Sequence, residues 1–263
     1  MQQHAILLAF LLSALAGLST LAGTILVFWV KNTHTKILAF GLGLSAGIMV
    51  YMSLFELIAE SEKRFGAYSD ILPEKYVALF FLLGLIIAFV IDLFTHNFVE
   101  KREEEGFDTH SKALLKSGLF TAFALGIHNI PEGVITFATA IIDPVFGVSV
   151  AIAVAIHNIP EGICIALPIY YATKSKMKSF LLVGVAALAE PFGALLAFLI
   201  LRKSISDFSL GAMLASVAGI MVYVAFDELL PSSKKMGHGH IGLAGLVTGM
   251  CVMWGVLQVL SQV

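Results

Sequence analysis

Two copies of one hexapeptide, HNIPEG at residues 128–133 and HNIPEG at residues 157–162, lie near the middle of this chain. Each copy sits inside an apolar stretch that is long enough to cross a lipid bilayer. A third apolar stretch carries Glu190-Pro191 at a similar depth. Ionisable groups at the centre of a membrane helix are costly and mark functional sites. Two histidines, two asparagines and three glutamates collected at one level therefore indicate a metal site.

The spacing inside the hexapeptide suits a helix that presents ligands on one face. Residues four apart lie one turn above each other, so His128 and Glu132 share a face and Asn129 lies on its flank. The second copy repeats this arrangement. Proline at the fourth position has no N–H and clashes with the carbonyl four residues back, so we expect kinks that free the carbonyls of Ile127 and Ile156. Each copy thus combines ligands with a local opening in the helix.

Composition predicts an integral membrane protein. Hydrophobic residues make up 59% of the 263 residues and charged residues 13%, and the mean hydropathy is +0.93. The net charge of −2 carries no nucleic-acid signal. Cys164 and Cys251 fall in apolar segments, so we expect packing roles for both, with a soft-metal role for Cys164 as the second interpretation. No Lys or Arg precedes Lys31, so the first apolar stretch is interpreted as a span and not as a signal peptide.

Eight apolar segments are near or above the roughly 20 residues that a helix needs to cross a bilayer. These predicted spans cover residues 5–30, 37–59, 76–98, 119–140, 145–171, 179–201, 208–230 and 241–260. We therefore predict an all-α integral membrane protein with eight transmembrane helices, forming a single transmembrane domain over residues 1–263. The longest connection, about 99–118, is predicted to be a solvated loop. Weaker interpretations give metal-capturing roles to His110 in that loop and to His238 and His240 near span 8.

The Lys and Arg residues predict the orientation of the spans. Of the 16 Lys and Arg residues, 11 lie in the connections after spans 1, 3, 5 and 7. Cytoplasmic connections carry the excess of basic residues in membrane proteins. We therefore expect both termini outside the cytoplasm and the 99–118 connection inside it.

A second repeat relates the two ends of the chain. Residues 46–51, AGIMVY, recur as residues 218–223, and Glu56-Leu57 recurs as Glu228-Leu229. Spans 2 and 7 are five crossings apart, so the two copies run in opposite directions. This pattern is typical of inverted-topology repeats. It predicts that spans 1–3 and spans 6–8 are related around a central pair, spans 4 and 5.

The predicted orientation places acidic groups at both mouths of the protein. Span 2 runs outward and carries Glu56 and Glu60 near the outer mouth. Spans 3 and 7 run inward and carry four polar groups at their inner ends, which are Asp92, His96, Asp227 and Glu228. Acids thus mark the outside, the centre and the inside, a spacing that buried structural acids would have no reason to adopt.

These motifs resemble the ZIP family of divalent-metal transporters, and within it the bacterial ZupT-like branch. The resemblance covers essentially the whole chain and rests on the paired hexapeptides, the eight spans and the Glu190-Pro191 motif. It implies a binuclear metal site. The first metal would be bound by His128, Glu132, His157 and Glu161. The second would be bound by Asn129, Asn158 and Glu190, with Glu132 and Glu161 bridging the two ions.

The resemblance also implies that Asp92, His96, Asp227 and Glu228 line the inward exit. Many family members have His where this chain has Asp227, which is a harder ligand. We expect no cofactor: zinc and other divalent ions, up to two bound per chain, are the substrates. The remaining expected partner is membrane lipid, with no nucleic acid, and a homodimer is left open.

The expected function is a secondary transporter, not an enzyme, that imports divalent metal ions into the cytoplasm across the inner (plasma) membrane. Imidazole and carboxylate ligands suit zinc and also iron, manganese, cobalt and cadmium, and the absence of a thiolate in the predicted site argues against Cu⁺. No nucleotide-binding loop is apparent in the sequence. The alternative is an intramembrane metal-dependent hydrolase, although HxxxE differs from the HExxH of zinc proteases. A structural membrane protein is the third and weakest interpretation.

Overall fold

The computed structural model of the protein describes residues 2–29, 35–68, 72–103, 110–201, 206–235 and 237–260. Within these ranges the regular structure is helical, with two π-helical segments, π1 and π2, that continue α-helices without a break. The elements are α1 (Gln2–Val27), α2 (Thr35–Tyr51), π1 (Met52–Leu57), α3 (Ile58–Tyr68), α4 (Pro73–Glu103), α5 (His110–Ile142), α6 (Pro144–Thr173), α7 (Lys176–Ala187), α8 (Ala189–Leu201), α9 (Asp207–Val224), π2 (Ala225–Leu229), α10 (Leu230–Lys235) and α11 (Gly239–Leu260).

Eight helical stretches of the described chain are long and apolar enough to cross a membrane. They are His4–Val27, Ala39–Tyr68, Pro73–Leu93, Leu125–Ile142, Pro144–Thr173, Lys176–Ile200, Asp207–Leu229 and Gly239–Val259. The prediction of an all-α protein with eight spans is confirmed, and the chain is a multi-pass membrane protein. The boundaries differ in two places. Span 2 continues as helix to Tyr68, and the predicted 99–118 connection is helical up to Glu103 and again from His110.

A helix N-cap at Asp143 separates the two helices that carry the hexapeptides. The Asp143 side chain accepts hydrogen bonds from the backbone N–H groups of Val145 (2.7 Å) and Phe146 (3.2 Å). Pro144 follows as the first residue of α6, where its fixed φ and missing N–H cost nothing. A single residue therefore turns the chain between spans 4 and 5, so the two hexapeptides lie on adjacent helices.

The spans pack in two groups of four. Spans 1, 4, 5 and 6 pack mainly on one another, and so do spans 2, 3, 7 and 8. The groups meet where span 2 packs on span 5 and span 4 on span 7. Span 5 is the most buried of the eight and span 3 the least. Span 3 exposes Leu79, Leu82 and Ile86, a surface suited to lipid.

Close helix contacts repeat in the two halves of the chain. A Cβ atom added to Gly47 in span 2 would lie 2.0 Å from the carbonyl oxygen of Leu246 in span 8. One added to Gly219, the matching residue of span 7, would lie 2.2 Å from the carbonyl oxygen of Phe81 in span 3. Both copies of the repeat then pass into a π-helical segment, π1 in span 2 and π2 in span 7. The inverted repeat predicted from the sequence is therefore confirmed in the packing.

The same relation exchanges span 1 with span 6 and span 4 with span 5. Asn158 in span 5 donates a hydrogen bond from Nδ2 to the carbonyl of Ala16 in span 1 (3.0 Å). Asn129 in span 4 donates from Nδ2 to the carbonyl of Ala186 in span 6 (3.4 Å). Each hexapeptide asparagine thus anchors its helix to the matching outer helix. Spans 4 and 5 form the central pair about which the halves are related.

Substitution of Gly219 by alanine should lower the melting temperature of the protein. The added methyl group would meet the backbone of span 3, and overpacking of this kind costs about 1 to 3 kcal/mol. Gly255→Ala in span 8 is the matched control, because a Cβ there has no neighbour within 4 Å. Thermal unfolding of the detergent-purified variants checks this. Equal melting temperatures for the two variants would contradict the close packing of spans 3 and 7.

Candidate metal site

A cluster of metal-ligand side chains lies between spans 4 and 5. Glu132 projects from α5, and His157 and Glu161 project from α6. Each offers one ligand atom, and these atoms all lie within 4.8 Å of one another. All three side chains are fully buried. His157 Nε2 lies 2.7 Å from Glu132 Oε1, so the two hexapeptides are in direct contact.

Glu190 brings a third buried carboxylate to the cluster. Pro191 has no N–H to donate to the carbonyl four residues back, and the helix of span 6 breaks between α7 and α8 at this point. Glu190 then lies in the first turn of α8 and is fully buried. Asn158 Nδ2 donates a short hydrogen bond to Glu190 Oε1. This contact joins the Glu190-Pro191 motif to the second hexapeptide.

Three buried oxygens beside the cluster lack a hydrogen-bond partner among the described residues. They are Asn129 Oδ1, Asn158 Oδ1 and Glu190 Oε2. Buried acceptors without a donor are costly, and each one needs an explanation. All three atoms are oxygen ligands of the kind that divalent cations accept. A bound cation would satisfy them without any additional protein donor.

The inverted repeat is broken at Glu190. A Cβ added to Gly133 in span 4 would lie 1.9 Å from the carbonyl oxygen of Glu190 in span 6. A Cβ added to Gly162 in span 5 would lie 1.9 Å from the carbonyl oxygen of Thr20 in span 1. Thr20 therefore occupies the position in span 1 that Glu190 occupies in span 6. Spans 4, 5 and 6 each bring one carboxylate to the cluster. Span 1, the counterpart of span 6, has Thr20 where span 6 has Glu190.

Span 2 supports the second hexapeptide from the other helix group. Ser45 Oγ donates a hydrogen bond to the carbonyl of His157 (2.9 Å), and both groups are buried. A Cβ added to Gly41 would lie 3.4 Å from the ring of Pro160. The sequence predicts a freed carbonyl at Ile156. The carbonyl that accepts from Ser45 is that of the following residue, His157. Span 2 is thus in contact with the backbone that carries the cluster.

The side chains of His128 and His96 lie outside the described part of the structure. The backbone of His128 belongs to α5, and that of His96 to α4. Their predicted roles, in the first metal site and in the exit, stay predictions. Of the seven predicted metal ligands, six have described side chains, and all six are fully buried: Asn129, Glu132, His157, Asn158, Glu161 and Glu190.

At the predicted outer mouth, Arg64 pairs with one of the two predicted entrance acids, Glu60, and with Asp207. Glu56 is half-buried in π1. Glu60 Oε1 lies 2.7 Å from Arg64 Nη2, and Arg64 Nη1 lies 3.1 Å from Asp207 Oδ1 at the start of span 7. Asp207 and Tyr68 line a cavity of about 460 Å³ at this end. The sequence did not predict Asp207, because only the fold brings the start of span 7 next to the end of span 2.

At the predicted inner mouth, two of the predicted exit acids share a cavity. Asp92 of span 3 and Glu228 of π2 line a cavity of about 180 Å³ that Pro131 of the first hexapeptide also lines. Asp227 is exposed beside them. Tyr223 also lines this cavity and donates a hydrogen bond to Asp92 Oδ2 (3.3 Å). Tyr223 belongs to the repeated AGIMVY stretch, but the spacing did not indicate a polar contact for its hydroxyl.

The fold and the buried cluster define a polytopic membrane protein that holds carboxylate and imidazole groups, which could bind a metal ion, inside its helix bundle. Comparison with known proteins gives the family. Residues 102–257 match the Zip family, described as ZIP Zinc transporter. The chain is 43% identical over 259 residues to the "Zinc transporter ZupT" of Chlorobaculum parvum, an alignment that covers 94% of this chain and 96% of the relative.

Two further relatives give the same result. The "Zinc transporter ZupT" of Oceanobacillus iheyensis is 42% identical over 94% of this chain and 96% of its own length. That of Akkermansia muciniphila is 42% identical over 96% of this chain and 97% of its own length. This chain belongs to the ZIP family of divalent-metal transporters. It is therefore a transporter and not an enzyme, and the alternative of an intramembrane hydrolase is wrong.

Proposed function

We propose that this protein imports zinc into the cytoplasm, and that iron, manganese, cobalt and cadmium are further substrates. The observation that carries the proposal is the fully buried group of Glu132, His157 and Glu161, whose ligand atoms lie within 4.8 Å of one another. Imidazole and carboxylate ligands suit this range of divalent ions. Charged groups inside a membrane protein mark ion pathways. The relatives are named as zinc transporters, and this supports zinc as the first substrate.

The site is proposed to hold two ions. His128, Glu132, His157 and Glu161 would bind the first, and Asn129, Asn158 and Glu190 the second, with Glu132 and Glu161 bridging. Asn129 Oδ1, Asn158 Oδ1 and Glu190 Oε2 lack a hydrogen-bond donor among the described residues, which makes them available as ligands of the second ion. Two divalent ions beside three ionised carboxylates leave a net charge of about +1, which the nearby acids of the inner mouth would attract.

The proposed path follows the acids along the membrane normal. Ions enter past Glu56 and Glu60, bind between spans 4, 5 and 6, and leave past Asp92, His96, Asp227 and Glu228. The cavity that joins Asp92 and Glu228 to Pro131 supports the inner part of this path, because Pro131 precedes the bridging Glu132 in the chain. A homodimer is compatible with this path but is not needed for it, because the path lies within one chain.

The proposed location is the inner (plasma) membrane, with both termini outside the cytoplasm. The 11 Lys and Arg residues in the connections after the odd-numbered spans support this orientation. The large apolar side chains that α4 exposes fit contact with lipid.

Loss of a bridging carboxylate should nearly abolish uptake. In proteoliposomes that contain only the purified protein, Glu132→Ala and Glu161→Ala should each lower the initial rate of zinc uptake by more than about tenfold, because each carboxylate contacts both ions. Asn129→Ala should retain more uptake, because it removes one ligand of the second ion alone. A Glu161→Ala protein that takes up zinc at the wild-type rate, at equal reconstitution, would rule out the binuclear arrangement.

Labelling of introduced cysteines checks the orientation. A cysteine placed in the 99–118 connection should be shielded from a membrane-impermeant thiol reagent in intact cells, and one placed beside Ser69 should be labelled. The native cysteines, Cys164 and Cys251, are first replaced by serine to give a clean background. The reverse pattern of labelling would invert the protein and exchange its entrance and exit.

A further inference from the structure

Tyr223 is the polar group of the inner cavity that the metal path described above does not use. Its hydroxyl donates to Asp92 Oδ2 at 3.3 Å. Asp227 follows Tyr223 by four residues, about one helical turn, so its side chain lies close to the same phenol. Asp92 belongs to span 3 and Asp227 to π2 of span 7, so one hydroxyl links the two helices at the inner mouth.

One phenol hydroxyl between two carboxylates has a definite chemical consequence. The phenol carries a single proton, so it can donate fully to only one acceptor at a time. Two ionised carboxylates without a donor between them would repel each other and move apart. The phenol offsets this repulsion and holds the two acids close together.

The position of these groups connects them to the metal path. Asp92, Tyr223 and Glu228 line the cavity of about 180 Å³, and so does Pro131 of the first hexapeptide. An ion that leaves the central cluster through this cavity meets Asp92 and Glu228, and Asp227 precedes Glu228 in π2. A receiving site of this kind must attract the ion and then release it. The separation of the two aspartates is therefore important for the release step.

We propose that Tyr223 is a positioning residue for metal release, because its hydroxyl holds Asp92 and Asp227 together as the receiving site at the inner mouth. This inference rests on the proposed import function. It concerns the step after metal leaves the central cluster. The hydroxyl is therefore important for the maximal rate of transport and not for metal binding at the centre.

The chain offers a matched control for Tyr223. Tyr51 is its counterpart in the inverted repeat, because each tyrosine is the last residue of its AGIMVY copy. Its ring stacks on Phe55 with centroids 4.8 Å apart. The ring of Tyr223 contacts Phe89 edge-on, with centroids 6.4 Å apart. Tyr→Phe at either position keeps the ring and removes one hydroxyl, and the inference predicts an effect at position 223 only.

The test compares wild-type protein, Tyr223→Phe and Tyr51→Phe in cells that lack their own zinc importers. Initial rates of zinc uptake are measured over a range of external zinc concentrations and normalised to the protein in the membrane. Tyr223→Phe should lower the maximal rate by about threefold to tenfold, the effect of losing one hydrogen bond of ordinary strength, with an unchanged half-saturating concentration. Tyr51→Phe should match wild type. The rise in melting temperature on adding zinc to the purified proteins should be the same in all three.

The possible outcomes separate the inference from the proposed function. Wild-type protein without zinc uptake would overturn the proposed function and the inference with it. Wild-type uptake together with an unimpaired Tyr223→Phe, or an equal loss in Tyr51→Phe, would overturn the inference alone. A raised half-saturating concentration, or a smaller zinc-dependent rise in melting temperature for Tyr223→Phe, would also overturn it, because the hydroxyl would then act on binding at the centre.

Discussion

Carboxylates at the centre of a membrane protein are costly unless a cation or a hydrogen-bond donor accompanies them, and this chain buries three of them together. Glu132, Glu161 and Glu190 come from three different spans. Among the described residues, His157 contacts Glu132 and Asn158 donates a hydrogen bond to Glu190. Three neighbouring oxygens remain without donors in that part of the chain. In the proposed function, a divalent cation would balance the charge of these carboxylates and coordinate the neighbouring oxygens.

Much of the architecture brings these side chains to one point. Asp143 and Pro144 turn the chain so sharply that both hexapeptides lie on adjacent helices. The break at Pro191 starts α8 beside them. The inverted repeat then builds similar surroundings on both sides, and it extends to the mouths. Glu56 lies in π1 and Glu228 in the matching segment π2, and π-helical segments are frequent at functional sites.

The sequence was enough to predict the eight spans, the inverted repeat and the candidate ligands, six of which are seen to be buried, because each depends on a short local pattern. Apolar length predicts a span, and the i, i+4 spacing of His128 and Glu132 predicts a shared helix face. The helical extension beyond Glu60 was not predicted, because its polar residues resemble a loop. Contacts between distant segments were also out of reach. Arg64 with Asp207, and Tyr223 with Asp92, join residues that only the packing of the spans brings together.

Anomalous X-ray scattering from crystals grown with zinc tests the central claim most directly. Difference maps from data collected above and below the zinc absorption edge would locate bound ions independently of transport. Two peaks about 4 Å apart, one beside Glu132 and His157 and one beside Asn158 and Glu190, with Glu161 between them, are expected of a binuclear site. A map without zinc at this cluster, in crystals that hold zinc elsewhere on the protein, would contradict the account.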